Sequence, residues 1–329
     1  MPVELHRQGE QQRAAETPMP VEMRQQGEQQ RAAALRCTEE RHQVVVAWPR
    51  PAGHWGRMTA ARACWSPAER SIAATTAWTL RTSATRTVDD FYLDKYEITV
   101  GRFRQFVKAG MGTQASPPAS GAGANLAIPG SGWDSTWNTN LPADTTALTA
   151  AISCGAPYQT WTNTAGSNES QPVNSLDWYT ASAFCSWDGG RLPTEAEWNY
   201  AASGGNEQRY YPWSSPPTST TIDDSYAVYC DGSCVGTRNV GSKSPKGDGK
   251  WGQSDLAGNV WEWTLDWFGI YQTPCDNCAD IADAAASYRV LRGGNFYYYA
   301  SNLRSASRNY GSPRFDDSSL GARCARTSL

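Results

Sequence analysis

The clearest hydrophobic periodicity lies between residues 88 and 110. The segment VDDFYLDKYEIT (88–99) is rich in aromatic and β-branched side chains and predicts a strand. Directly after it, apolar residues recur at the spacing of one helix face, namely Val100, Phe103, Phe106 and Val107. Gly110 follows as a helix stop. We therefore expect a strand that leads into a short amphipathic helix.

Two further helices are predicted between residues 176 and 205. The segment LDWYTASAFCSWDGG (176–190) has helical character and ends at a Gly-Gly pair. In LPTEAEWNYAASGG (192–205), Thr194 can cap the helix while Glu197, three residues on, reaches back to it as a capping box. The rest of the C-terminal half shows only short strand-like runs separated by turns, which favours an α+β fold with little regular secondary structure.

The segment 111–170 lacks a clear periodicity. It is rich in Gly, Ser, Thr, Ala and Asn, yet it contains Trp133, Trp137 and Trp161. Disordered linkers stay unfolded because they have too little apolar surface to bury. They therefore seldom contain so many indole rings. We therefore predict a long but ordered loop insertion here.

Residues 1–80 differ from the rest of the chain in composition. They contain no Lys, Asp, Asn, Phe or Tyr, and MPVELHRQGEQQRAA (1–15) returns at 19–33 with twelve of fifteen positions identical. Two copies are too few for a solenoid, and no apolar core of a signal peptide is visible. We predict a poorly ordered tail over 1–80, which is a candidate artefact of start-site or reading-frame choice, and a single domain over 81–329. An Arg-rich functional arm is the alternative.

Charge and hydropathy exclude two classes of partner. The chain has 29 Lys and Arg against 32 Asp and Glu, so nothing in its charge favours nucleic acid or an anionic membrane. No run of about 18 apolar residues is present to cross a bilayer. Fifteen Trp and fifteen Tyr instead indicate a loop-rich fold held by large aromatic side chains.

Six motifs together carry a family resemblance. FYLDKYEIT, GGRLPTEAEWNYAASGG, YPW, DLAGNVWEWTLDW, RVLRGGNF and LGARCA occur in the order found in the sulfatase-modifying-factor family, the formylglycine-generating enzymes and their relatives. The resemblance covers roughly 88–326. It implies a single compact α+β domain of low regular secondary structure, with the formylglycine-generating-enzyme or C-type-lectin-like fold.

The resemblance implies the family's chemistry less strongly than it implies the fold. Its founding enzymes oxidise a protein cysteine with copper, held by two cysteines that follow the Gly-Gly turn. Without a gap, those positions are Tyr298 and Leu303 here, and no cysteine lies between Cys278 and Cys324. Residues 81–329 also lack histidine, so an imidazole-held iron is excluded. We expect no copper and assign no catalytic residue, although Cys275 and Cys278 remain conceivable substitutes.

The resemblance nevertheless implies a cleft beside the Gly-Gly turn. Its candidate residues are Trp261, Asn295, Tyr297, Tyr298, Tyr299, Arg304 and Arg308. Structural packing of the tyrosine rings and surface positions for the two arginines are the alternatives. The ligand would be an unidentified small molecule, glycan or peptide.

The motif DLAGNVWEW (255–263) resembles the family's calcium loop. The resemblance assigns Asp255 and Glu262 as side-chain ligands, and Gly258 and Val260 as ligands through their carbonyl oxygens. Two carboxylates with several carbonyls suit a hard cation. In the alternative, Asp255 caps a turn and Glu262 makes a surface ion pair.

The cysteines point to an oxidising compartment. The resemblance pairs Cys185 with Cys324, and the positions of the family's second disulfide are Ala202 and Ser305 here. The close pairs Cys230/Cys234 and Cys275/Cys278 could form two local disulfides or one four-cysteine zinc knuckle, and Cys154 is left over. With disulfides favoured, we expect an extracytoplasmic protein, although no export signal is visible at the given N-terminus.

Two classes of function remain after these observations. The first is a non-catalytic, calcium-stabilised binding or structural module. The second is an enzyme in the same cleft, either a formylglycine-generating oxidase acting on protein cysteine or an unknown oxidoreductase. The missing thiol pair and the missing histidines favour the first.

Overall fold

The structure is a computed structural model that describes residues 70–73, 78–79, 85–153, 157–271, 275–282 and 286–327. In chain order its strands are β1 (Arg70–Ala73), β2 (Trp78–Thr79), β3 (Thr85–Thr87), β4 (Phe91–Asp94), β5 (Trp261–Trp267), β6 (Cys275–Asp276), β7 (Arg289–Arg292), β8 (Arg308–Gly311), β9 (Leu320–Gly321) and β10 (Ala325–Thr327). Its α-helices are α1 (Val100–Lys108), α2 (Thr145–Ile152), α3 (Trp178–Trp187) and α4 (Glu195–Ala202).

Helix α1 follows the predicted apolar spacing. Val100, Phe103 and Phe106 are buried, and Thr99 caps the helix by accepting a hydrogen bond from the backbone N–H of Arg102. The strand before it is shorter than predicted, since only Phe91–Asp94 pairs regularly. After Asp94 the chain turns towards the helix, and this turn ends the strand.

Helix α4 begins with the predicted capping box. Thr194 Oγ1 accepts from the backbone N–H of Glu197, and Glu197 Oε2 accepts from the backbone N–H of Thr194. Both backbone donors are buried, so each would otherwise lack a partner. The same Glu197 carboxylate also binds Arg191, which fixes the helix start to the preceding turn.

The described strands form three small sheets. Their orders are β1-β4-β10, β2-β3-β6 and β8-β7-β5-β9. Strand β5 is central to the third sheet, antiparallel to β7 and parallel to β9. Helices and short strands in one fold confirm the predicted α+β class.

The described parts of the insertion, 111–153 and 157–170, are folded onto the main core. It contains a 3₁₀ turn (Ser135–Asn140) and helix α2, which the sequence pattern did not predict. Trp133 and Trp161 are each 2 % exposed and belong to the same apolar cluster as the helices. Its indoles therefore make it an ordered part of the domain, as predicted.

The predicted domain boundary at residue 81 lies inside paired structure. Strand β1 pairs with β4 in antiparallel register, with Arg70 opposite Asp94 and Ala73 opposite Phe91. The domain therefore takes in residues that we had assigned to the tail. Residues 1–69 lie outside the described part of the chain, and the prediction of poor order stays a prediction there.

Three disulfides confirm the predicted cysteine pairs. Cys185, in α3, is bonded to Cys324, with Cα atoms 5.4 Å apart and a sequence separation of 139. Cys230–Cys234 and Cys275–Cys278 form two local loops, so the zinc-knuckle alternative is wrong. Cys154 lies outside the described residues.

Ala202 and Ser305, the two positions of the family's second disulfide, are in contact but form no disulfide. Ser305 Oγ donates to the carbonyl oxygen of Ala202 at 3.0 Å, and both residues are buried. A hydrogen bond therefore joins the helix and the loop that a disulfide would otherwise join. Among the described residues, no helix has the length and hydropathy needed to cross a membrane.

Candidate ligand cleft and calcium loop

The loop that leads into β5 adopts a tight conformation. Asp255 and Asn259 have positive φ angles of 58° and 61°, in the left-handed region where Asp and Asn are tolerated best. The Asn259 side chain accepts from the backbone N–H of Arg238 and donates to Glu97 Oε2 at 2.6 Å. Glu97 Oε1 accepts from the backbone N–H of Val260. The loop is therefore wrapped around a buried carboxylate that the sequence had not singled out.

Glu262 is fully buried and bound to Arg323. Arg323 donates to both carboxylate oxygens at 2.7 Å, and the indole N–H of Trp198 donates to Glu262 Oε2 at 2.8 Å. The alternative of a surface ion pair is thus wrong, because both side chains are inaccessible to solvent. A carboxylate has about four acceptor positions, so roughly one remains for a cation.

Three buried carboxylates in this region face one guanidinium. Burial raises the pKa of Glu97 well above its usual range, and the negative charges of Asp255 and Glu262 raise it further. Burial also raises the pKa of Asp255 to about 6, against the lowering effect of its hydrogen bond from Gly241 and of Arg323. Buried carboxyl groups are therefore in excess over guanidinium groups in the described surroundings of the loop.

That excess is the observation that fits a hard cation. Asp255 Oδ2 accepts a hydrogen bond from the backbone N–H of Gly241 at 2.6 Å, and no hydrogen bond to Oδ1 is recorded among the described residues. Calcium takes carboxylate and carbonyl oxygens together, which is the donor set of this loop. Asp255 with the carbonyls of Gly258 and Val260 would hold the ion, Glu262 would contribute its remaining position, and Glu97 would add charge.

The Gly-Gly turn has the conformation that its sequence predicts. Gly293 and Gly294 have φ angles of +96° and +76°, and a Cβ on Gly294 would come within 2.7 Å of Leu303. The residues that follow form a turn, so the tyrosines do not alternate as in a strand. Tyr298 meets the Trp261 ring edge-on, at 5.8 Å between centroids, whereas 44 % of Tyr299 is exposed.

Two buried donors lie beside Tyr298. Trp261 is 2 % exposed and Asn295 is fully buried, yet Trp261 Nε1 and Asn295 Nδ2 have no hydrogen-bond partner among the described residues. Asn295 Oδ1 is used, because it accepts from the backbone N–H of Tyr297 at 2.8 Å. Buried N–H groups are usually paired, so these two indicate a place for an acceptor.

A disulfide loop lies against the backbone of Tyr298. The backbone N–H of Cys230 donates to the carbonyl oxygen of Tyr298 at 3.0 Å. Tyr158 packs against Phe296 and Tyr297, at centroid distances of 5.0 and 6.2 Å. The predicted cleft residues Trp261, Asn295, Tyr297 and Tyr298 therefore come together.

The two candidate arginines lie elsewhere. Arg304 is exposed, and its Nε donates to the carbonyl oxygen of Ser301 at 2.8 Å. Arg308 binds both carboxylate oxygens of Glu195, at 2.6 and 2.7 Å, and stacks on Tyr271 at 4.1 Å. Arg308 thus supports the start of α4. The structure records no contact between either guanidinium and the buried N–H donors of Trp261 and Asn295.

Tyr298 and Leu303 correspond, without a gap, to the copper-binding cysteines of the enzymes that this chain resembles. Both have apolar or aromatic surroundings. Leu303 is fully buried in a cluster with Tyr211 and Ala257, and Tyr298 packs on Trp261. The cysteine whose backbone touches Tyr298 is Cys230, not Cys275 or Cys278, and its sulfur is bonded to Cys234. Neither proposed substitute is a free thiol, since Cys275 and Cys278 are bonded to each other.

Sequence reasoning missed Glu97, Arg323 and Cys230 as parts of this region. Glu97 and Arg323 do lie inside the motifs FYLDKYEIT and LGARCA, which was the available signal. Their partners are 163 and 61 residues away in sequence, respectively, so no local pattern could pair them.

The fold and the disulfides together define a domain of the formylglycine-generating-enzyme type, with a cluster of aromatic side chains beside a Gly-Gly turn. The sulfatase-modifying factor enzyme 1-like domain matches residues 56–328, which is most of the chain. The chain belongs to this family. The match also begins before residue 81, in agreement with strands β1 and β2.

Curated relatives include active and inactive enzymes. The formylglycine-generating enzyme of Streptomyces coelicolor is 31 % identical over 270 residues, covering 71 % of this chain and 77 % of that protein. The mouse enzyme is 29 % identical and covers 74 % of this chain and 68 % of its own length. A bovine protein named inactive C-alpha-formylglycine-generating enzyme 2 is 34 % identical over 164 residues, covering 47 % of this chain and 50 % of that protein.

Solved structures show the same fold. Treponema denticola variable protein 1 matches with a TM-score of 0.51 at 22 % identity, covering 79 % of this chain and 95 % of its own. PvdO from Pseudomonas aeruginosa matches with a TM-score of 0.53 at 20 % identity, covering 79 % and 94 %. At these identities the likeness concerns the fold alone.

Proposed function

We propose that this protein is a non-catalytic, calcium-stabilised binding or structural module that acts outside the cytoplasm. The observation that carries the proposal is the state of the cysteines. All six that the structure describes are in disulfides, and without a gap the two positions equivalent to copper ligands are Tyr298 and Leu303. Cu(I) needs soft thiolate ligands, which this cleft does not offer from the described residues. The inactive bovine relative is consistent with such a role.

The deciding experiment is an assay for formylglycine. The purified protein is incubated with Cu(I), oxygen and a sulfatase-type cysteine peptide, and the aldehyde is sought by mass spectrometry. The Streptomyces coelicolor enzyme, treated in parallel, is the positive control. We expect aldehyde from the control only. Turnover by this protein would overthrow the proposal in favour of the oxidase alternative, and a Cys230→Ser/Cys234→Ser variant would then identify the thiols.

The cleft itself supports a binding role. Trp261 Nε1 and Asn295 Nδ2 are N–H donors with no acceptor in the part of the chain that the structure describes, so a ligand of this cleft would present carbonyl, carboxylate or ether oxygens. Tyr297 and Tyr298 supply ring surface beside them, which suits a small molecule, glycan or peptide.

An NMR titration tests this reading with N-methylacetamide as a neutral acceptor probe. The indole N–H signal of Trp261 is assigned by its loss in Trp261→Phe, and we expect it to shift saturably with the probe. Asn295→Asp is the matched variant, because it keeps the acceptor for Tyr297 and removes the donor. The shift should weaken in that variant. If the chemical shift of the Trp261 indole N–H does not change with the probe, the cleft has no free donor.

Calcium is supported by the excess of buried carboxylates around Glu97, Asp255 and Glu262. A cation that binds only the folded state raises the melting temperature in proportion to the logarithm of its concentration above Kd. We expect such a rise with CaCl₂, its reversal by EGTA, and its loss in Asp255→Asn. Asp231→Asn, an exposed site, is the control that should keep the rise. A melt that is indifferent to calcium and EGTA would remove the metal from the proposal.

The extracytoplasmic setting rests on the disulfides. Three bonded pairs in one domain are typical of oxidising compartments. Intact-mass analysis of the protein from its natural source, with and without reduction, tests this directly. We expect a gain of about two mass units per bond on reduction, and an unreduced mass equal to the reduced one would contradict the assignment.

A further inference from the structure

A second cavity, separate from the cleft, opens at the N-terminal end of α1. It has a volume of about 410 Å³, within the range of small-molecule sites, and none of Trp261, Asn295 and Tyr298 lines it. Its floor includes Asp94, Arg102, Asp188 and Arg326. We call it the ion-pair cavity, after these four residues.

The four residues form a closed ring of charges. Arg102 binds Asp94 at 2.8 Å and Asp188 at 2.7 Å, and Arg326 binds the same two carboxylates. The ring joins β4, α1, the end of α3 and β10, so its geometry is fixed from four sides. Two carboxylates and two guanidiniums balance each other, and the ring has no net charge.

The other carboxylates of the wall are also engaged. Arg104 binds Glu169 through Nε and Nη2, the closest contact being 2.6 Å, and Glu97 accepts from Asn259 and Val260. The Cys324 sulfur lies within 4.8 Å of the carboxylates of Asp94 and Asp188, but it is bonded to Cys185 and cannot bind a metal. A charged ligand that binds at the ring of Asp94, Arg102, Asp188 and Arg326 would have to break an existing pair, which is costly when the partners are buried.

Hydrogen-bonding capacity nevertheless remains in the cavity. A paired carboxylate keeps spare acceptor positions, and a guanidinium has five N–H donors. Arg326 Nε is buried and has no hydrogen-bond partner among the described residues. Tyr96, Thr99 and Ser170 add hydroxyl groups at the partly exposed rim, and the Tyr96 ring and Val240 add apolar surface. The ring is a rigid array of donors and acceptors without demand for a net charge.

We propose that the ion-pair cavity binds a neutral polyhydroxylated ligand, namely a monosaccharide or one sugar residue of a glycan. Each sugar hydroxyl both donates and accepts, so it can use the spare positions of paired Asp and Arg side chains together. The C–H face of the ring then packs on Tyr96 and Val240. The cavity is a distinct site and does not depend on the function proposed for the cleft.

The test compares three ligands that share one ring and differ in charge: glucose, glucosamine and glucuronate. Saturation-transfer NMR and calorimetry measure binding, alongside galactose, mannose and N-acetylglucosamine. We expect at least one neutral sugar to bind, and its charged analogues to bind about tenfold more weakly or less. A glycan array then distinguishes a free sugar from a terminal or internal residue of a glycan.

A matched pair of variants locates the site. Ser170→Trp fills the rim without touching an ion pair, and Ser287→Trp places the same side chain on exposed surface elsewhere. We expect sugar binding to weaken at least about tenfold in Ser170→Trp and to stay unchanged in Ser287→Trp. Tighter binding of a charged analogue, equal binding to both variants, or no binding of any neutral sugar would each overturn the proposal.

Discussion

The guanidinium of Arg289 lies between two tryptophan rings. It is 3.4 Å from the ring centroid of Trp267 and 3.9 Å from that of Trp178, and its Nη1 donates to the carbonyl oxygen of Leu265 at 2.6 Å. Burial lowers the pKa of Arg289 to about 9, because no water is left to solvate the charge. The two rings replace part of that solvation.

Arg289→Lys should therefore destabilise the protein although it keeps the charge. An ammonium group is compact and cannot stack on two rings as a planar guanidinium does. We expect a loss of about 1–3 kcal/mol in the free energy of unfolding, measured by urea denaturation. Arg304→Lys, on the exposed surface, should change it by less than about 0.5 kcal/mol. Similar losses in both variants would mean that stacking contributes nothing.

Asp266 makes stability depend on pH. Its two oxygens accept from the backbone N–H groups of Glu195 and Asp280, at 2.7 and 2.9 Å. Burial, assisted by the negative charge of Glu195, nevertheless raises the pKa of Asp266 to about 7. The unfolded carboxyl loses its proton near its ordinary value of 3.8, so the folded state holds the proton more tightly in between. The contribution of Asp266 to stability is then largest at low pH and is lost as the pH rises towards about 7.

Asp266→Asn should remove this dependence. The amide places an N–H₂ group against one backbone donor, which is a cost at every pH. The free energy of unfolding of the wild type, taken relative to the variant, should fall between about pH 4 and about pH 7. Chemical denaturation at a series of pH values measures it, and two parallel curves would contradict the raised pKa.

Helix α4 begins with a capping box encoded locally, and its first residues also make long-range contacts. Its capping box was visible in the sequence, whereas the contacts of its first residues were not. Glu195 binds Arg308, which lies on β8, and Trp198 binds Glu262, which lies on β5. The start of one short helix therefore connects two strands of the third sheet.

Thr194→Ala should cost about 1–2 kcal/mol of stability. It removes the oxygen that accepts from Glu197 and leaves that buried N–H without a partner. Thr194→Ser keeps the oxygen and serves as the control, with an expected loss of a few tenths of a kcal/mol. Thermal and urea unfolding measure both, and equal losses would assign the effect to packing of the methyl group.

The three disulfides should contribute unequally to the stability of the whole domain. The Cys185–Cys324 bond spans 139 residues, whereas Cys230–Cys234 spans four. A longer bridged loop restricts the unfolded chain more, so the chain-entropy relation gives about 5 kcal/mol for the first and about 2 kcal/mol for the second. Cys185→Ala/Cys324→Ala should therefore lower the melting temperature more than Cys230→Ser/Cys234→Ser, as measured by calorimetry. The reverse order would show that local packing outweighs chain entropy.

The sequence by itself determined the fold class, the helices α1, α3 and α4, the capping box and the Gly-Gly turn, whereas the family resemblance supplied the pairing of Cys185 with Cys324. These features depend on periodicity, on backbone preferences of single residues or on motifs that stay together in the chain. It also identified the absence of thiols at Tyr298 and Leu303, because residue identity alone decides that point.

Only the tertiary structure decided which charges neutralise one another. Arg323 meets Glu262 across 61 residues and Arg326 meets Asp94 across 232, whereas the buried carboxylate of Glu97 accepts from the neutral backbone N–H of Val260, 163 residues away. No local pattern encodes such pairs, because each depends on how separate strands and helices pack. The same reason explains why helix α2, the extension of the domain before residue 81 and the ion-pair cavity were not predicted. A buried charge is stable only with its partner, and the partner is chosen by the fold.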